Sequence, residues 1–274
     1  MDRPPGTLYV VATPIGNLAD ASPRALEVLR AADLVACEDT RTSRVLLAHH
    51  GIGARTMALH AHNERQAAKK LLHELRGGAQ VALVSDAGTP GVSDPGALLV
   101  AAAHREGVRV VAIPGPNAAV TAYSAAGFAG DRFLFAGFLP AKGGKALDEL
   151  DGPWAVILYE APHRVLETAR ALLERFGPER EIVIARELSK KFEEIARLRL
   201  ADAPAWLEAG PHRQQGEFVL VLAPGEPRRA SADAERVLGV LLQALPAAEA
   251  AKLAARITGM PRKALYAAAL RRAK

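Results

Sequence analysis

Apolar residues recur along the first half of the chain in short unbroken runs: TLYVVA (7–12), LVACE (34–38), VALVS (81–85) and VRVVAI (108–113). Runs of that length, with little polar alternation, read as strands buried on both faces. Helix signals lie between them. SPRALEVLRAA offers Ser22 as N-cap with Pro23 at the first helical position. NERQAAKKLLHELRGG has Gln66 three residues after Asn63, a capping-box spacing, and closes on Gly77 and Gly78. In SDPGALLVAAAHREG, Asp94 and Pro95 start the next helix. Strand and helix in alternation predict a largely parallel sheet covered by helices.

A second series begins near Phe133, with strand FLFAGF, a Gly/Lys loop LPAKGGKA, strand WAVILYE, helix PHRVLETARALLERFG, and strands EIVIARE and EFVLVLA (217–223). KKFEEIARLRLAD reads as an added antiparallel element. The spacing differs from the first half, so this is a second α/β domain rather than a repeat. PGEPRRASAD is a Pro/Gly/polar linker, and beyond it Ala and Leu recur at helical spacing. The chain has 274 residues, enough for two domains and a full core. The expected division is 1–117, 118–225 and a basic helical tail, 226–274.

Charge refines that division. The formal net charge is +5, but residues 226–274 hold ten Lys/Arg against four Asp/Glu, a net +6, which leaves −1 for residues 1–225. A basic tail on a near-neutral body is the electrostatic footprint of a nucleic-acid grip, or of a helix pair whose apolar face merely packs. Cys37, the single cysteine, excludes a disulfide framework and a cysteine-based zinc site. MDRPPGTLYVV places Asp2 and two prolines where a secretory leader needs a basic start and a long apolar run. No 18-residue apolar stretch follows, so a cytoplasmic protein that makes no use of a membrane is expected.

Three strands of the first domain run into Pro/Gly loops: ATPIGN, SDAGTPG and IPGPN. Ligands of open α/β sheets bind outside the carboxyl ends of the strands, where loop backbone and helix N-termini converge. No loop matches a dinucleotide or P-loop fingerprint, and all three are poor in Lys and Arg, which suits a ligand without a phosphate chain.

Together, TLYVVATPIGNLAD, ACEDTR, LVSDAGTPGVSDPG, IPGPNA, FAGFLPAKG, YEAPHR and IARELSKKFEE resemble the bacterial small-subunit ribosomal RNA 2'-O-methyltransferases of the tetrapyrrole methylase superfamily. The match runs in order from Thr7 to the tail. The resemblance implies two α/β domains with S-adenosylmethionine in the cleft between them, a homodimer, and methylation of a cytidine ribose in the decoding region of 16S rRNA in the small ribosomal subunit. It places the cofactor on Pro14, Ile15 and Gly16, on Ser85, Asp86, Ala87, Gly88, Thr89 and Pro90, and on Pro114, Gly115 and Pro116. From the second domain it adds Tyr159, Glu160, Gly216 and Glu217. Gly91 and Val92 stand where the family often has bulkier residues, and Gln215 where Lys is common.

A sulfonium methyl is already a good electrophile, so the enzyme has to align the ribose hydroxyl, exclude water and help remove a proton; no metal is required. EDTR offers Glu38, Asp39 and Arg41 for this. Asp39 is the preferred proton acceptor, with Arg41 holding a phosphate or the Glu38 carboxylate, unless Asp39 and Thr40 simply cap the next helix. His60, His62 and Asn63 form a proton relay, a base contact or an ordinary surface loop. Lys142, Lys145, Lys190 and Lys191, with Arg186 nearby, and Arg262, Lys263, Arg271 and Arg272 in the tail are candidate RNA contacts. Two other readings stay open: methylation of a small tetrapyrrole-like acceptor, and a non-catalytic RNA-binding module.

Overall fold

The computed structural model describes residues 6–140, 144–225 and 228–272. Its first sheet contains β1 (Thr7–Val11), β2 (Leu34–Cys37), β3 (Thr56–Ala58), β4 (Gln80–Val84) and β5 (Arg109–Ile113), in the spatial order β3-β2-β4-β1-β5. Each neighbouring pair is parallel, in registers such as Leu8↔Val81 and Val35↔Ala82. Parallel strands need crossovers, and the helices that supply them cover both faces. Alternate residues of β2 divide between two cores. Leu34 and Ala36 pack with Leu71, Leu75 and Leu99, which belong to α3 (Glu64–Arg76) and α4 (Ala97–Arg105). Val35 and Cys37 pack with Leu29 of α1 (Pro23–Ala31) and Leu47 of α2 (Thr40–His49). α5 (Ala118–Ala126) follows β5.

The second sheet has the order β6-β7-β10-β8-β9, from β6 (Phe133–Phe138), β7 (Ala155–Glu160), β8 (Glu181–Arg186), β9 (Glu194–Arg199) and β10 (Phe218–Leu222). β6 runs parallel to β7 and β10 antiparallel to it. Its core gathers Val156, Leu158, Ile182, Ile184 and Leu220 with Leu172 of α7 (Val165–Phe176) and Leu207 of α8 (Ala203–Glu208). α6 (Gly144–Asp148) lies between β6 and β7. The chain clusters into two compact units, Met1–Ala125 with Ala185–Ile195, and Ala126–Ile184 with Ala196–Lys274. The segment joining β8 to β9, read from the sequence as part of the second series, thus clusters with the first.

The tail forms α9 (Arg228–Leu241), α10 (Ala247–Thr258) and α11 (Arg262–Arg272) around a core of its own: Ala234, Leu238, Ala250, Ala251, Ala254, Leu265 and Ala269. Small residues let these helices approach closely. Gly259 closes α10 at φ +72°, a left-handed cap that turns the chain into α11 within three residues.

Two local expectations are corrected. Asn63 makes no capping box; its side-chain oxygen accepts from the His60 N–H at 2.9 Å and its amide donates to the Ala58 carbonyl at 3.1 Å. α4 starts after Gly96, at φ +129°, rather than at Asp94, and Glu64 of α3 caps it by accepting from the Gly96 and Leu98 N–H groups at 2.8 and 3.0 Å. A cap supplied from another helix leaves no local sequence signature. No helix of the described residues is long and apolar enough to cross a membrane.

Candidate active site

Because β4, β1 and β5 are parallel neighbours, their three Pro/Gly loops leave one edge of the first sheet together. They are also bonded to one another. The Thr13 N–H donates to the Gly88 carbonyl at 2.8 Å and the Gly88 N–H returns to the Thr13 carbonyl at 3.1 Å. The Thr13 hydroxyl donates to the Ser85 carbonyl at 3.1 Å, and the Ser85 hydroxyl to that of Gly88 at 3.2 Å. Thr89 completes the link by donating to the Pro116 carbonyl at 3.1 Å. Gly88 sits at φ +85°, where a side chain strains the backbone, and a Cβ on Gly115 would lie 3.0 Å from that of Ala12. Pro14, Ile15 and Pro90 are buried, Asp86 and Pro116 half-buried, and Gly16, Ala87, Pro114 and Gly115 exposed. The result is a rigid rim made mostly of backbone and small side chains.

β2 brings the acidic motif to the same edge. Asp39 is the N-cap of α2: its carboxylate accepts from the Arg41 N–H at 2.8 Å. The Arg41 guanidinium also grips it, Nε at 3.2 Å from both oxygens and Nη2 at 2.7 Å from Oδ2. These bonds hold the Asp39 carboxyl down to about 2. Arg41 thus pairs with Asp39 and not with Glu38. Asp86 fixes the Asp39 backbone, its Oδ1 accepting from the Asp39 N–H at 3.0 Å.

Glu38 is in the opposite situation. It is half-buried, and among the described residues no group donates a hydrogen bond to its carboxylate. Burial raises its pKa, and the nearby Asp94, Asp86 and Asp39 raise it further. Asp94, half-buried, is raised mainly by burial, with the Ser85 hydroxyl opposing the shift. An unpaired, partly desolvated carboxylate among others is costly, and such groups concentrate at functional sites. The motif SDAGTPGVSDP carried Asp94 in plain view, but no spacing rule connects it to Glu38. The rings of half-buried His60 and exposed His62 stand 6.1 Å apart beyond β3. Among the described residues, no group of three or more His, Cys, Asp or Glu is placed to hold a metal ion.

The remaining sequence-derived positions scatter. In the second unit, Glu160 is 2% exposed, accepting from the Ala161 N–H at 2.8 Å and the Thr168 hydroxyl at 2.6 Å, so its carboxylate anchors the start of α7. The half-buried Tyr159 ring meets Phe135 and Phe138 edge-on at 5.0 and 5.6 Å. Gly216 has φ +89°, and Glu217 is exposed. Lys190 belongs to the first unit: its ammonium is 2.9 Å from Glu187 Oε1, and its stem occupies the space that a Cβ on Gly16 would need. Lys191 is exposed, as are Arg262 and Lys263 at the start of α11. Lys142 falls outside the described residues, as do the side chains of Lys145, Arg271 and Arg272.

Comparison with known proteins places this geometry. Residues 7–204 match the family model of the tetrapyrrole (corrin/porphyrin) methylases, and residues 228–273 that of the RsmI C-terminal HTH domain. A Pseudomonas aeruginosa protein named ribosomal RNA small subunit methyltransferase I is 50% identical over 275 residues, covering 97% of this chain and 98% of its own. One of the same name from Mesorhizobium japonicum is 50% identical over 264 residues, covering 94% of this chain and 90% of its own. Among solved structures, the methyltransferase CobJ aligns with a TM-score of 0.60 at 21% identity over 80% of this chain and 94% of that one. Uroporphyrin-III C-methyl transferase from Thermus thermophilus, complexed with S-adenosylhomocysteine, aligns at 0.58 and 19% identity over 80% and 97%. At those identities the structures show the fold alone.

Proposed function

The chain belongs to the tetrapyrrole (corrin/porphyrin) methylase family and is a methyltransferase with S-adenosylmethionine as its donor, and we propose that its acceptor is the 2'-hydroxyl of a cytidine ribose in 16S rRNA near the decoding centre. The observation that carries the ribosomal reading is the near-full-length similarity, at half identity, to proteins named as small-subunit rRNA methyltransferases. The basic tail supports it, because a small-molecule methylase has no use for a net +6 helical appendage.

The rim fits the donor. Loops zipped through Thr13, Ser85 and Thr89 present amides and carbonyls at close range and little side-chain bulk, which is how a pocket recognises a ligand that lacks a phosphate chain. Pro14–Gly16, Ser85–Pro90 and Pro114–Pro116 would hold it. When bound, the donor supplies a sulfonium methyl.

The chain's own groups then have to orient the ribose hydroxyl and take its proton. Asp39 is spent on Arg41 and the α2 cap, and its depressed pKa makes it a weak base. Glu38, unbonded and with a raised pKa, is the better acceptor, since Brønsted behaviour favours a base whose pKa lies nearer the working pH. Asp39 and Arg41 position the strand end that carries it. The reading is tested with tritiated S-adenosylmethionine and small subunits lacking the modification, followed by mass spectrometry of the digested rRNA. Label in a 2'-O-methylcytidine supports it. Label in uroporphyrinogen and none in RNA overturns it.

A further inference from the structure

The residues joining β8 to β9 form a tip that is held more firmly than a surface loop requires. The Ser189 N–H donates to Glu193 Oε2 at 2.6 Å, and the Ser189 hydroxyl donates to Asp20, just beyond the first cofactor loop. Arg186 Nη2 donates to the Phe192 carbonyl at 3.1 Å, and the Lys190 N–H to the Glu187 carbonyl at 3.0 Å. The Lys190 stem lies against Gly16. Glu187 and Ser189 hold φ of +53° and +67°, left-handed conformations that non-glycine residues adopt at a cost and that persist only where the surroundings enforce them.

On this braced tip Phe192 is 65% exposed, more than any other large apolar residue described. Single exposed apolar residues are ordinary on a protein surface. Here the backbone of Phe192 is held through its carbonyl, four residues from Leu188, whose carbonyl lies 3.2 Å from the Cβ position of Gly16, and the ring has the Lys191 ammonium 5.5 Å from its centroid. An exposed aromatic ring on a braced backbone beside the exposed Lys191, next to the loop proposed for the methyl donor, matches the chemistry of an unpaired nucleotide: a base stacks on the ring while its phosphate meets the ammonium. We propose that Phe192 is the stacking platform for an unpaired base of the RNA substrate and that Lys191 binds an adjoining phosphate. The assignment rests on the ribosomal reading above and names the group that presents the nucleotide to the site.

The test compares Phe192→Ala, Phe192→Leu, Phe192→Tyr and Lys191→Met with the unaltered protein, on unmethylated small subunits. Phe192→Ala is expected to raise KM for subunits by roughly 10- to 100-fold, the loss of one base–aromatic stack. Its S-adenosylmethionine affinity, by calorimetry, should be unchanged. Phe192→Leu keeps an apolar side chain without a π face, and should behave as Ala does; Phe192→Tyr should retain near-normal KM. Lys191→Met should lower the log–log salt slope of binding by about 0.7 to 0.9, which Phe192→Ala should not. If unaltered protein methylates the subunits and both Phe192→Ala and Phe192→Leu do so with unchanged KM, the platform is refuted while the ribosomal reading stands. If unaltered protein methylates no RNA, both fall. If Phe192→Leu instead changes the sedimentation of the protein, and its KM defect disappears at high protein concentration, the ring packs against a second copy and the proposal is wrong.

Discussion

Glu38 and Asp39 are adjacent carboxylates with opposite surroundings, and the contrast predicts opposite responses to the same substitution. Glu38→Gln removes the unpaired acceptor and should lower the single-turnover rate by roughly 10²- to 10⁴-fold with subunit binding little changed. Asp39→Asn keeps an equally good cap for α2 and should leave the rate within a few-fold. A large loss from Asp39→Asn with none from Glu38→Gln would reverse the assignment. The pH dependence follows from the same pair. Glu38 must be ionised to act, so the rate should fall as pH drops through a value above the ordinary 4.5, and Glu38→Gln should lack that limb. For stability the signs differ. The raised Glu38 contributes stability fully at low pH and loses it as pH rises through its folded value. The depressed Asp39 contributes above 3.8 and loses it as pH falls toward about 2, so Asp39→Asn should flatten the acid limb of a stability–pH curve there.

At the scale of elements, the loops and helix starts carry the site through contacts between segments distant in sequence. Gly88 at φ +85° lies at the centre of the loop zip, and Gly88→Ala should cost roughly 1 to 2 kcal/mol of backbone strain. Its added Cβ would meet Ile15 Cγ2 at only 3.4 Å, ordinary contact, so the strain rather than a clash should weaken donor binding. Calorimetry and thermal melts check both effects; an unaltered donor affinity would remove the loop from the cofactor site. Glu64 caps α4 from α3, and Glu64→Ala should destabilise the first unit by about 1 kcal/mol, with Glu64→Gln recovering part because it keeps an acceptor oxygen. Urea denaturation measures the difference.

At the scale of the molecule, the tail clusters with the second unit but has an apolar core of its own, so removing residues 228–274 should leave the first unit folded and donor affinity intact. RNA affinity should fall, and the log–log salt slope should shrink by about 0.7 to 0.9 for each phosphate that the shortened protein no longer neutralises. Filter binding at several salt concentrations reads this directly, and an unchanged slope would make the tail a packing element only.

What was legible in the sequence follows from what is local. Unbroken apolar runs marked β1, β2 and β4, because a strand buried on both faces has no reason to alternate, whereas β5, read the same way, is an edge strand with Arg109 and Ala112 exposed; Ser22 and Pro23 marked the start of α1, because a cap is written within three residues of the helix it serves. The Pro/Gly loops marked the edge proposed for the cofactor for the same reason, as glycine and proline declare backbone geometry by themselves. Asn63 and Asp94 misled because each was assigned a cap by proximity, whereas α4 is capped by Glu64, 32 residues from Gly96. The contrasting surroundings of Glu38 and Asp39 lay beyond any pattern. The sequence placed both at the end of β2, but which one Arg41 takes, and whether Asp86 and Asp94 surround the other, depends on β4 lying beside β2 in the sheet. Charge and hydrogen bonding act through space, so the protonation of a carboxylate was decided only when the strands were brought side by side.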